Sequence, residues 1–260
     1  MSDTAVTTTL EELAAEVSRL RGEVADASRL ARRAEDRGQV ENLFNRYMHL
    51  HNAFQDEQIV PLWVKRGTPG IRARYTNAGQ YTDYDSVIRY HQGRPTPVGK
   101  LILHATTTPV IEVAADGETA KGVWIMAGTE SGLTDPEVAR AFPDMYSPGE
   151  VQGKKVWAHW VWCKYAIDFL RQDGEWKIWK FRCYELARAP FHEDWISFGE
   201  KNQAAFDLDL MYFGDDGTPV FMPPADEPVP TEYHPYHPST RQTLEPAPPV
   251  PHETFTDTFK

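Results

Sequence analysis

The chain has 260 residues, more than a single domain usually needs, and its 38 acidic against 27 basic residues leave a net charge of −11. Such a surface repels a phosphate backbone and an anionic membrane alike, so neither nucleic acid nor lipid is an expected partner. No apolar run approaches the roughly 20 residues that span a bilayer, and MSDTAVTTTL lacks the basic start and apolar centre of a secretory signal, so a cytoplasmic protein is expected.

From Leu10 the apolar positions run Leu10, Leu13, Val17, Leu20, Val24, Ala27 and Ala31, in steps of three and four with charges between them. This predicts a helix with a narrow seam, either lying along its own domain or joining subunits as a short coiled coil. After Arg37-Gly38 a second helical pattern begins, with Val40, Leu43, Phe44, Tyr47, Leu50 and His51 near one face. A Gly/Arg/Tyr-rich region follows, then a short helix around Ser86 to His91 entered from Asp83 or Asp85 as a cap.

Residues 101–113, 120–129, 155–169 and 176–185 are dense in β-branched and aromatic side chains and read as strands. Ala115-Asp116-Gly117 and Gln172-Asp173-Gly174 are turns between neighbours, which implies antiparallel hairpins. Helices first and an antiparallel sheet second predict an α+β fold, with helices covering one face of a curved sheet. Five of the eight tryptophans (157, 160, 162, 176 and 179) fall on both faces of the last two strands, so both faces need cover. Cys163 and Cys183 lie in strand-like segments and read as packed thiols without metal-ligand spacing.

Beyond Gly214 the composition shifts, with 11 of the 20 prolines between Pro219 and Pro251. Such a tail cannot build a core. Its Tyr233-His234-Pro235-Tyr236-His237-Pro238 stretch suggests extended chain laid over a folded surface, its own or a neighbour's. The expected organisation is an N-terminal helix over 1–37, a catalytic domain over 38–190 and a C-terminal extension over 191–260.

No dinucleotide fingerprint, phosphate loop, zinc-peptidase helix or serine-hydrolase elbow is present. What remains is histidine, tyrosine and carboxylate chemistry in an aromatic cavity, which points to acid–base catalysis without a cofactor or metal. His49 and His51 cannot share a metal on a helix, because a two-residue step turns them about 200° apart. His104, in the strand opening Leu101-Ile102-Leu103-His104, faces opposite to Leu103 and is the candidate acid or base.

The stretches VENLFNRY (40–47), HATTTPVIEV (104–113), DGETAKGVW (116–124) and YAIDFLRQDGEWKIW (165–179) resemble, in order and spacing, the SnoaL-like and nuclear transport factor two-like superfamily over about residues 36–186. The resemblance implies a cone of strongly curved sheet and helices around a deep pocket, and a homodimer or homotrimer. It also implies that His104 is the pocket histidine used by the family's dehydratases. Many catalytic members carry an aspartate a few residues after the helix tyrosine; this chain has Asn52 there, which cannot remove a proton.

The long N-terminal helix and the Pro/Tyr/His-rich tail are similar to the branch of bacterial diarylpropane lyases that release formaldehyde from lignin-derived diols. On that reading His104, Tyr47 and His51 supply base and acid, and Asn52 orients a hydroxyl. Trp124, Trp160 and Tyr81 form apolar walls, and Arg72, Arg74 and Arg182 are the cations placed to meet a phenolate or carboxylate. The alternatives are a dehydratase, isomerase or cyclase acting on another polycyclic aromatic, and a protein that binds a small ligand without turnover.

Overall fold

The computed structural model describes residues 2–75, 78–92, 98–140, 146–201, 210–213, 219–221, 223–229 and 235–259. The N-terminal helix does not stop at Gly38: α1 (Ser2–Asn52) runs through it unbroken. A single glycine inside a helix costs only about 1 kcal/mol relative to alanine. Here an Arg37–Glu41 ion pair of 3.0 Å spans the position, and the buried stripe Val40, Phe44, Tyr47 and Met48 begins just beyond it. The expected arm and the first helix of the domain are therefore one rod, exposed throughout residues 9–32 and gripped from Asp36 onward. Asp36 fixes the grip, accepting from Trp176 Nε1 at 3.1 Å and pairing with Arg171.

Two short turns follow, α2 (Asp56–Ile59) and a 3₁₀ turn over 60–62, then β1 (Arg72–Tyr75) and β2 (Gly79–Tyr81). Asp83 caps α3 (Tyr84–Tyr90) through a reciprocal capping box with Ser86. The long strands are β3 (Leu101–Val113), β4 (Thr119–Thr134), β6 (Lys154–Gln172) and β7 (Glu175–Pro190), with α4 (Pro136–Ala139) and β5 (Tyr146–Val151) inserted between β4 and β6. The chain closes with α5 (Trp195–Lys201), β8 (Leu210–Phe213) and β9 (Pro219–Phe221), the last two forming a small separate sheet.

The main sheet runs β2-β1-β7-β6-β4-β3, with β5 added to β6. The hairpins are antiparallel as their turns require, with positive φ at Gly117, Asp173 and Gly174. One pairing differs: β1 lies parallel to β7. These strands are not joined by a tight turn, so nothing local imposes antiparallel order. Register shifts between Thr107 and Val110, and at Trp162/Cys163 and Asp168/Phe169, accompany a curved, unclosed sheet that wraps α1. The molecule is thus a mixed α+β cone.

Alternation along the strands divides the side chains into two sets. Trp124, Met126, Cys163, Tyr165, Ile167 and Phe181 point inward to the main core with Phe44 and Tyr47 of α1. Val123, Ala166 and Tyr184 point outward and are covered by Phe259. The C-terminal segment is therefore laid across its own domain: Ala115 N–H donates to the His252 carbonyl at 3.0 Å, and Tyr236 N–H to that of Leu186 at 2.7 Å. Tyr233 and His234 lie outside the described residues. Among the described residues no helix is long and apolar enough to cross a membrane.

Candidate active site

His104 lies on β3, the edge strand, with its side chain turned inward and 7% exposed. Two neighbours set its position. The Asn52 amide, at the last residue of α1, bonds both backbone groups of His104: Nδ2 donates to the carbonyl and Oδ1 accepts from the N–H, each at 3.1 Å. Across the pairing, Gly128 lies opposite His104 on β4. A Cβ there would fall 2.7 Å from His104 Cδ2 and 2.7 Å from the Leu103 carbonyl oxygen, so the ring can lie over β4 only because residue 128 has no side chain.

Two residues further along β4 on the same inward face, Glu130 Oε1 lies 3.0 Å from His104 Nε2. A carboxylate only accepts, so Nε2 carries a hydrogen, and in the neutral ring the lone pair lies on Nδ1. That Nδ1 is buried and has no hydrogen-bond partner among the described residues. Behind Glu130, His159 Nε2 lies 3.3 Å from Oε2 and 2.5 Å from Arg188 Nη1, and Arg188 Nε donates to Glu185 at 2.9 Å. Guanidinium only donates, so His159 Nε2 accepts and its ring is neutral. Burial, then the Arg188 charge, pushes the His159 pKa down to about 4. Burial by itself would raise the pKa of Glu130; the hydrogen donated by His104 Nε2 and the charge of the Arg188 cation outweigh it and hold the carboxyl well below the usual range.

On the other side of His104 the His51 ring is 5.3 Å away, and Tyr47 lies 6.1 Å beyond His51 in a stacked orientation. Three side chains singled out in the sequence, His104, His51 and Tyr47, therefore form one row. An aromatic wall adjoins it: Phe44 stacks against Tyr47 and packs 4.3 Å from Trp124, with Tyr165 and Phe181 around it. The arrangement can accept a proton at His104 Nδ1 and stabilise the resulting imidazolium through an ionised carboxylate.

A family model for the SnoaL-like domain matches residues 32–182, more than half of the chain. The chain belongs to the SnoaL-like domain family. No curated protein matches it. Among solved structures it is similar to a putative scytalone dehydratase from Novosphingobium aromaticivorans, at 13% identity and TM-score 0.43, covering 60% of this chain and 87% of that one. It is also similar to a hexachlorocyclohexane dehydrochlorinase of LinA-type3 from Novosphingobium barchaimii, at 18% identity and TM-score 0.42, covering 65% and 96%.

Within this SnoaL-like domain the remaining candidates divide by sheet face. Trp124 is inward but closed in by Phe44 and Phe169. Tyr81 is also inward; its hydroxyl donates to the Pro223 carbonyl at 2.7 Å, and burial, then the Asp226 charge, raises its pKa to about 12. Asn52 serves the His104 backbone. Arg72 and Arg74 alternate with the core residues Ala73 and Tyr75 and so face outward, Arg74 lying over the Tyr184 ring at 4.4 Å. Arg182 faces outward too, bonded to Asp168 at 3.0 Å and Asp257 at 2.8 Å. Trp160 is on the same outer side, stacked on Trp162 and against Phe191. The structure does not bring these four to His104.

Sequence reasoning missed Glu130, His159, Arg188 and Glu185. A signal was present, since Glu130 shares strand parity with Trp124 and Met126, and His159 with Val161 and Cys163, so each is a polar side chain at a core position.

Proposed function

We propose that the protein is a cofactor-independent lyase acting by acid–base chemistry on a small lignin-type diarylpropane diol. The single observation that carries the acid–base assignment is the His104–Glu130 pair, which leaves a buried lone pair on Nδ1 beside His51 and Tyr47. In the proposed step His104 Nδ1 takes the proton of the terminal hydroxyl. The adjacent carbon–carbon bond breaks, its terminal carbon leaves as formaldehyde, and the electron pair forms the new double bond. The benzylic hydroxyl departs as water with a proton from His51 or Tyr47, giving a stilbene. Glu130 stays ionised and steadies the imidazolium, an electrostatic role that matters more in a site shielded from water. Tyr47, stacked beside His51, supplies flat apolar contact for a ring, with Phe44 and Trp124 packed behind it.

The test is incubation of the purified protein with a 1,2-diarylpropane-1,3-diol, following stilbene absorbance and released formaldehyde, beside His104→Ala and Glu130→Gln. Turnover by the parent with loss in His104→Ala supports the reading. Absence of both products from the parent overturns the diol assignment. Binding of the diol without turnover would instead identify a ligand-binding protein.

A further inference from the structure

The exposed part of α1 carries an apolar seam that no described residue covers. Leu10, Leu13, Val17, Leu20 and Val24 are all exposed, 41% to 64% of each lying open to solvent. At 100° per residue this seam points about 155° away from the stripe formed by Asp36, Val40, Phe44 and Tyr47 that enters the domain. The fold that grips one side of the rod is therefore turned away from the other. Most helical stability in proteins comes from packing an amphipathic face, and the row of Leu and Val along this arm is an apolar face that association would remove from water.

We propose that this seam pairs with the same seam of a second copy as a parallel two-stranded coiled coil. The heptad assignment puts Leu10, Val17, Val24 and Ala31 at a, and Leu13, Leu20, Ala27 and Ala34 at d. Valine at a with leucine at d favours two strands. The flanking charges choose the direction. Glu16 and Glu23 occupy g positions, and Arg21 an e position. In a parallel pair each g residue meets the e residue five positions on in the partner, so Glu16 meets Arg21 twice across the two-fold axis. In an antiparallel pair g meets g and e meets e, which sets glutamates against each other and arginine against arginine. Arg19, at the outward c position, pairs with Glu16 and Glu23 on its own helix and leaves the seam clear. Parallel pairing also places both domains at the same end, where the small Ala27, Ala31 and Ala34 let the helices approach closely.

Sedimentation of the full chain tests this. The parent should run at twice the chain mass. Leu13→Lys combined with Leu20→Lys should halve that mass while leaving the thermal unfolding of the domain unchanged, because both positions are solvent-exposed within one copy. Glu16→Lys and Arg21→Glu should each weaken dimerisation at low salt by several-fold, and the two together should restore it. A monomeric or trimeric parent, or a dimer indifferent to the leucine changes, overturns the proposal; a double charge reversal that fails to restore association overturns the parallel direction.

Discussion

Asn52 can hold both backbone groups of His104 because an amide donates and accepts at once. A carboxylate at that position only accepts and would face the His104 carbonyl oxygen. Asn52→Asp should therefore lower the unfolding free energy by about 1–3 kcal/mol at neutral pH, the cost of an unmet buried bond, read from urea midpoints. The charge that an aspartate would bring to the histidine comes from Glu130 instead. Glu130→Gln keeps an acceptor for His104 Nε2 but removes the negative charge; kcat on a turned-over diol should fall about 100- to 10,000-fold, with KM changing far less. His159 carries a separate, pH-dependent effect. Its pKa is depressed to about 4 in the folded chain, against about 6.5 unfolded. The unfolded state thus binds more protons between these values, and the stabilisation is full above about pH 6.5 and lost as pH falls toward 4. Denaturation midpoints should drop across that window, and His159→Gln should flatten the drop. His104 was legible in the sequence because it stands out on a β-rich segment. Its carboxylate partner was not, because the pairing register that sets Glu130 two residues beyond Gly128 is a tertiary fact. Arg72, Arg74 and Arg182 misled for a related reason: a cation in a strand shows its parity but not which parity meets the pocket.

At the scale of elements, the glycines of α1 and β4 play opposite parts. Nothing lies within 4 Å of a Cβ added at Gly38, so Gly38→Ala should raise stability by about 1 kcal/mol through helix propensity alone, seen as a higher unfolding temperature. The added Cβ of Gly128→Ala meets the His104 ring and the Leu103 carbonyl oxygen, each at 2.7 Å. It should cost about 1–3 kcal/mol as overpacking and abolish turnover by displacing the ring. The four long strands, their two turns and the Asp83 cap were readable from period and turn chemistry, both of which are local. The unbroken passage of α1 through Gly38 was not, because the Asp36 contacts with Trp176 and Arg171 that stiffen it come from distant segments.

Over the whole molecule, the C-terminal segment is an integral part of the outer sheet face. Asp168, fully buried, accepts from Lys121 at 3.3 Å and Arg182 at 3.0 Å, while Asp257 of the strap binds Lys180 and Arg182. Asp168→Asn should therefore leave Lys121 without its paired carboxylate and Arg182 with Asp257 alone, and cost about 3–5 kcal/mol, a loss measurable in denaturant midpoints. The proline-rich composition suggested extended chain laid over a folded surface, and the described part of the tail runs along its own domain. Where that chain lies was beyond the sequence, since its anchors are scattered contacts with distant segments: the backbone bonds of Tyr236 and His252, and Asp257 and Phe259 meeting side chains of β4, β6 and β7. The cone also has an open margin. β3 is thirteen residues long and pairs on one side alone among the described residues, with Leu101, Leu103 and Val110 turned to solvent, and an edge strand of that kind can template the addition of a foreign strand. The helix-end amide of Asn52 occupies the N–H and carbonyl of His104 on that margin, so the residue that steadies the candidate base also removes one pair of ladder groups from the template.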